Sequence, residues 1–381
     1  MRYKLKKPIK IMSYGVALVL LWGAVAQADI NDPLFEAVSA NNMANAKPLI
    51  QAQLKSTPDF GPGHPLWEGA VVRSQDLFKL YMENGQDVMM NEDPDEIAAW
   101  LKLVADNLDI YDLLLEAMKN PRQLERYRAE MFEHAILEGH SPVVDLLLAR
   151  GYSPGVRNGY GGTPLMLAAE QGHVAIMTTL LGKGVSPDSQ SMTESALTLA
   201  VSSGGPNAVT FLLDSGADAN RPLPSGETPL FFAVRDNNQK AFDLLIAAGI
   251  KFDVRSRWGT TPLMEAVAHG KDEMIPFLIE KGADVNAADI LGNTALMIAA
   301  REGRAKAVEL LLTHKADINA RNTDGFTPLM HAVTRAGNGE VVSALLGMGA
   351  DTQDKSATGQ TAFDIARSSG RPEYAPLVEV K

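Results

Sequence analysis

Catalysis needs nucleophiles, proton carriers or metal ligands held close together, so the supply of such residues bounds what a chain can do. This chain has no cysteine among its 381 residues. Thiolate nucleophiles, disulfides and cysteine-based metal sites are therefore excluded. Its seven histidines are His64, His134, His140, His173, His269, His314 and His331. None begins a His-Glu-x-x-His pair, and no glycine-rich phosphate loop ends in Gly-Lys-Ser/Thr. No strand-to-helix nucleophile elbow is expected either. Carboxylates are plentiful, but their spacing along a repetitive chain says little about their separation in space. The expectation is a protein that is not an enzyme, with no catalytic residues, no metal site and no cofactor. What remains is binding chemistry. Arginines and large aromatics, the residues enriched at interface hot spots, recur in short polar stretches such as Arg255-Ser256-Arg257-Trp258.

The elements that must position them are legible in the stretch from Trp258 to Asn286. Thr261 is a helix N-cap, its hydroxyl placed to accept a free N–H of the first turn. Pro262 follows at the first helical position, where its missing N–H costs nothing. Leu263, Ala266 and Val267 share one face, and Gly270 stops this helix. A second helix carries Ile275, Leu278 and Ile279. Gly282 closes it in the left-handed conformation, and Ala283 to Asn286 leads out as an extended arm. Such a unit is too small to bury its own apolar face.

The unit recurs. Capped starts are Thr163-Pro164-Leu165, Ser195-Ala196-Leu197, Thr228-Pro229-Leu230, Thr261-Pro262-Leu263, Thr294-Ala295-Leu296, Thr327-Pro328-Leu329 and Thr361-Ala362-Phe363. Their third residues are 32, 33, 33, 33, 33 and 34 positions apart. The closing residues keep step: Gly151, Gly184, Gly216, Gly249, Gly282, Lys315 and Gly349. So do the small pairs Ala168-Ala169, Ala200-Val201, Ala233-Val234, Ala266-Val267, Ala299-Ala300 and Ala332-Val333. Three residue classes in one register signal a stacked repeat array.

These Thr-Pro-Leu, Ala-Ala and Gly-Ala-Asp-Val-Asn elements resemble the ankyrin repeat family, clearly over residues 131–368. The family's usual histidine after Thr-Pro-Leu is replaced by Met166, Met264, Met297 and Met330. The resemblance implies an all-α solenoid with short β-hairpin arms. About ten to eleven repeats are expected, the first four divergent and lying in residues 29–130, with a regular array over 131–370 and a tail over 371–381. The divergent part is read from worn starts at Asp32-Pro33-Leu34 and His64-Pro65-Leu66; a separate small helical domain is the alternative. The resemblance also implies structural roles for His140 and His173. His331, two units after Glu265, is expected to make a structural hydrogen bond.

In that family partners bind a concave face lined by arm tips and first helices. Carried over position by position, this implies a partner-binding set of Arg157, Tyr160, Arg255, Arg257, Trp258, His269, Leu291, Arg321 and Phe326. The function implied is a non-catalytic protein–protein interaction scaffold, acting as an inhibitor or immunity protein or as the accessory of an exported enzyme. An enzyme or ligand site within 29–130, or a secreted host-targeted effector, is the alternative.

The address comes from the first 28 residues. Arg2, Lys4, Lys6, Lys7 and Lys10 precede an apolar run from Tyr14 to Val25, and Ala26-Gln27-Ala28 is a small-x-small cleavage signal. This is a secretory signal peptide; the run is shorter than the ~20 residues of a membrane span, so no span is expected after cleavage. The bacterial look of the signal points to the periplasm, with full secretion second. Removal of the signal leaves 30 basic against 46 acidic residues, a net charge of −16. Such a chain repels nucleic acid and anionic lipid. The partner expected is another protein, bound by a monomer.

Overall fold

The computed structural model describes residues 131–378, together with the isolated positions 48, 49, 52, 108, 109, 111 and 112. The signal segment, most of the expected divergent repeats and residues 379–381 lie outside the described residues. The chain divides into two compact units, residues 1–153 and 154–381. In the first, the helical residues 131–137 and α1 (Ser141–Ala149) make one helix pair. α1 buries Val143, Val144, Leu147 and Leu148. Phe132 packs against Tyr152 with ring centroids 4.7 Å apart.

The second unit is a series of helix pairs. They are α2 (Pro164–Gln171) with α3 (Val174–Gly182), α4 (Ala196–Leu199) with α5 (Gly205–Asp214), and α6 (Pro229–Arg235) with α7 (Gln239–Ala247). Then come α8 (Pro262–Ala268) with α9 (Met274–Glu280), α10 (Ala295–Glu302) with α11 (Ala305–Thr313), and α12 (Pro328–Ala332) with α13 (Gly339–Gly347). α14 (Ala362–Ser368) and the short α15 (Ala375–Val378) close the stack.

The expected caps are present. The Thr163, Thr261, Thr294 and Thr327 hydroxyls accept the N–H of Met166, Met264, Met297 and Met330, three residues on. Ser195 with Thr198 and Thr361 with Asp364 form reciprocal capping boxes. Thr228 is the exception: its hydroxyl is buried and makes no hydrogen bond. The four methionines that replace the family's histidine have buried side chains, where an unbranched thioether fills irregular gaps. Leu165, Leu197, Leu230, Leu263, Leu296 and Leu329 are buried at one register position.

A loop, here called an arm, precedes each capped start. Arms 1 to 7 end at Thr163, Ser195, Thr228, Thr261, Thr294, Thr327 and Thr361. The expected β-hairpin arms are reduced to turns. Among the described residues there is no strand, only isolated antiparallel bridges at Gln190–Ser195 and Ala288–Thr294. Arms 4 to 6 each wrap around one short polar side chain. The Ser256 hydroxyl, the Asp289 carboxylate and the Asn322 amide oxygen accept two N–H groups apiece from their own turns. These local bonds do what a hairpin ladder does, within a four-residue turn.

From arm 3 onward the arms are stitched to one another. The tip carbonyls of Ser225, Trp258, Leu291 and Asp324 accept the N–H groups of Arg257, Ile290, Thr323 and Ala357 at 2.7, 3.0, 2.9 and 2.8 Å. This requires glycine just after the tip. Gly259 has φ +75, and a side chain on it would meet the Ile290 nitrogen at 2.9 Å. A second ladder links the turns between helices. Asn238 Nδ2 donates to Val201 O at 2.6 Å, and Asn338 Nδ2 to Ala300 O at 3.0 Å. The Tyr374 hydroxyl accepts the Asn338 N–H at 2.8 Å and so ties the closing segment to the stack.

The second repeat departs from the rest. Its first helix opens into a π-helical turn, Ala200–Gly204, and the left-handed conformation moves to Gly205 (φ +78). Gly204 touches the preceding repeat so closely that a Cβ would lie 1.8 Å from Ala169 O. The helical run Ala196–Asp214 is long and apolar enough to cross a membrane. It is broken at Gly205, however, and Leu197, Val201, Val209 and Leu212 are buried in the stack.

Gly204→Ala is expected to lower stability by about 2 kcal/mol or more, because the obstacle is backbone rather than a movable side chain. Gly182→Ala, at the end of α3 with open space around the added carbon, is expected to cost nothing. Urea unfolding of the two variants beside the parent checks the contrast; equal midpoints would refute it.

Candidate functional site

The arm tips and the exposed side of the first helices in residues 154–378 are where sequence reasoning placed the site. The tip residues, three before each capped start, are Tyr160, Met192, Ser225, Trp258, Leu291, Asp324 and Thr358. Tyr160 is 78% exposed, Met192 74%, Trp258 56% and Leu291 57%. Ile290, beside Leu291, is equally open. The ladder fixes the backbone under Trp258, Ile290 and Leu291. These large apolar groups are therefore held in water at little further cost in backbone entropy.

The arginines divide into two kinds. Arg157 Nη1 donates to Gly161 O at 2.7 Å and to Gln190 O, in the next arm, at 2.9 Å. Arg255 Nη1 donates to Ala288 O at 2.8 Å, again one arm ahead. Arg321 meets Asp354 at 3.0 Å and also bonds Lys355 O. Three of the four arginines in the expected partner-binding set are thus inter-arm braces. Arg257 is different: its guanidinium stacks over the Trp258 ring at 4.8 Å. Together they present one flat cation–aromatic surface.

The other expected residues are local. His269 lies at the end of α8, its Nδ1 3.2 Å from Glu265 Oε2. Phe326 is half-buried against His331, with centroids 5.4 Å apart. His331 makes the structural contact expected of it. Its Nε2 stands 3.4 Å from Asn322 Nδ2, which also donates to Asn293 Oδ1 at 2.9 Å. Burial, aided by Arg301 and opposed by Asp324, pushes the His331 imidazole down from its ordinary 6.5 to about 4.

Sequence reasoning missed the charged network on the first-helix side. Arg235, late in α6, reaches Glu227 at 2.5 Å within its own repeat and Glu265 at 3.2 Å in the next. Burial opposes the charge of Arg235, but the hydrogen bonds and charges of Glu265 and Glu227 outweigh it and raise its affinity for the proton. Among the described residues Glu170 and Glu194 have no such cation. Burial of Glu170, reinforced by the Glu194 charge, raises its carboxyl above the usual range. The signal that would have found these groups is their register: one residue before the capped start, four after it and seven after it.

Among the described residues no three histidines or carboxylates could hold a metal ion. The residues Gly151-Tyr152-Ser153-Pro154-Gly155 do spell Gly-x-Ser-x-Gly, a pattern that sequence reasoning missed. They follow the end of α1 and run into a turn, so no strand delivers Ser153 as a nucleophile elbow requires.

The ankyrin-repeat family model matches residues 132–223, 221–289 and 288–356, three copies in succession. The chain is an ankyrin repeat protein. The match spans more than half of its residues, and every capped start from Thr163 to Thr327 falls within it. No curated protein matches it closely enough to count as a relative. Ankyrin repeats form a protein–protein interaction module.

The neutral, half-buried imidazole of His331 carries a pH dependence. The unfolded chain takes up that proton near pH 6.5, the folded chain only near pH 4. Stability is therefore expected to fall by roughly 2 kcal/mol as pH drops through this window. His331→Gln should flatten that part of the stability profile; a slope unchanged by the substitution would refute the assignment.

Proposed function

We propose that this ankyrin repeat protein is a non-catalytic scaffold, exported to a bacterial periplasm, that holds another protein along its arm tips and first helices. One observation carries the binding surface: Trp258, Arg257, Ile290 and Leu291 are exposed side by side on a backbone fixed by the inter-arm bonds. Aromatic, arginine and aliphatic groups on a rigid support are the composition of a hot spot. The braces Arg157, Arg255 and Arg321 support this surface, and their role in binding is indirect. Tyr160, His269 and Phe326 lie on its margins.

The export reading rests on the basic start, apolar run and Ala26-Gln27-Ala28 site of the first 28 residues. With the signal removed, the strongly acidic chain is soluble and monomeric. Its partner is either a hydrolase or toxic effector that it inhibits, or an exported enzyme that it accompanies.

Two measurements test this. The exported protein should begin at Asp29 by N-terminal sequencing; a chain that retains residues 1–28 would refute cleavage. Cross-linked co-purification from the periplasm should yield one dominant partner, lost in a Trp258→Ala, Arg257→Ala double variant. A hot-spot truncation of this kind costs about 2 kcal/mol or more, enough to empty the complex at working concentration. A partner that survives the double variant would move the site elsewhere on the chain. Absence of any partner would refute the scaffold.

A further inference from the structure

The ladder that joins arms 3 to 7 does not reach arm 2, and the sequence shows why. The later arms have Gly226, Gly259, Gly292 and Gly325 just after the tip, all with positive φ. Arm 2 has Thr193 there, a β-branched residue for which that conformation is strained. It is also one residue shorter, since Gly184 and Ser195 are 11 positions apart whereas Gly216 and Thr228 are 12. On the facing arm, the position that donates from Arg257, Ile290 and Thr323 in later arms is Pro224. Proline has no N–H to give.

The consequence is an open length of backbone. Ser191 turns its N–H inward to Glu194 O at 2.7 Å. The N–H and C=O of Met192, and the N–H of Ser225, make no hydrogen bond among the described residues. Arms 2 and 3 are joined lower down, where Asp188 accepts the Asp218 N–H at 2.9 Å and faces Arg221 at 3.5 Å. The exposed Met192 side chain stands at the open point. Close by in sequence is Glu194, which shares its field with Glu170. Neither carboxylate has an ion pair among the described residues, whereas Glu227 is held by Arg235.

We propose that this open edge of arm 2 receives an extended segment of the partner protein, carrying an apolar side chain against Met192 and a lysine or arginine towards Glu194 and Glu170. The inference rests on the scaffold reading and adds the chemistry of the partner. The segment's main chain supplies the bonds that Thr193 and Pro224 deny to arm 3. Strand addition of this kind takes affinity from main-chain bonds and specificity from alternate side chains. Arms 3 to 6 cannot offer it, because the next arm already occupies their tip carbonyls. The acidic face of the edge selects a basic segment over an acidic one.

The test uses the exported chain and a fluorescent synthetic peptide of alternating leucine and lysine, read by anisotropy. Two controls accompany it: the same peptide N-methylated at alternate amides, and its glutamate-for-lysine counterpart. The basic peptide should bind, and each control should bind about tenfold more weakly or worse. Glu194→Lys should produce a loss of similar size, while Met348→Ser, at an exposed site on the end of α13, should not. Hydrogen exchange should show Met192 and Ser225 amides gaining protection in the complex. Binding indifferent to N-methylation and to Glu194→Lys would overturn the proposal. Loss with the Trp258→Ala, Arg257→Ala variant alone would overturn it too, while leaving the scaffold on the Trp258 surface. No binding by any of the peptides would also overturn it, and partner capture by the intact chain would then decide the scaffold reading separately.

Discussion

A helix pair of this size cannot bury its own apolar face, so every pair in residues 154–378 is completed by its neighbour. That arrangement demands close approach, and the demand shows in the small residues. Ala168-Ala169, Ala266-Val267 and Ala299-Ala300 are buried where adjacent first helices meet. Gly204 sits where even one added carbon would strike Ala169 O. Two hydrogen-bond ladders then fix the spacing, one across the turns between helices and one across the arm tips. Among the described residues the stack is held by this repeated short-range constraint rather than by one deep core.

The same constraint shapes the surface formed by the arm tips. Inter-arm backbone bonds hold the tips of arms 3 to 7 in place without using their side chains. Large apolar groups there, such as Trp258 and Leu291, are exposed on a rigid support. Rigidity lowers the entropy lost on association. Charged side chains do two different jobs on this surface. Arg157, Arg255 and Arg321 are engaged by the neighbouring arm, and Arg235 is engaged by Glu227 and Glu265. Arg257, by contrast, stacks on the exposed Trp258 ring.

Irregularity concentrates in the second repeat. A shortened arm, Thr193 in place of glycine, Pro224 opposite it and the π-helical turn at Ala200–Gly204 all fall within a span of about one repeat. Each interrupts a bond that the other repeats make. Regular repeats propagate stability to their neighbours, whereas this interrupted one leaves the Met192 main chain without a hydrogen bond among the described residues.

Much of the fold is legible in the order of the amino acids alone. Cap residues, closing glycines and small pairs each depend on local chemistry: an N–H that needs an acceptor, a left-handed residue, a close contact. Such needs select residue types directly, so they leave a period in the sequence. The arms are less legible. Ser256, Asp289 and Asn322 satisfy the arm backbone locally, which turns the expected hairpins into turns. Lys315 closes a helix with φ 68 where glycine was the rule, because the surrounding repeat dictates the conformation. The candidate site divides along the same line. That Arg, Trp, Tyr and Leu occupy tips was determined by sequence register alone. Whether an arginine braces its neighbour or faces solvent, and whether an arm is joined or open, depends on groups about 33 residues away. Only the tertiary structure decided that, because stacking brings residues one repeat apart within hydrogen-bonding distance.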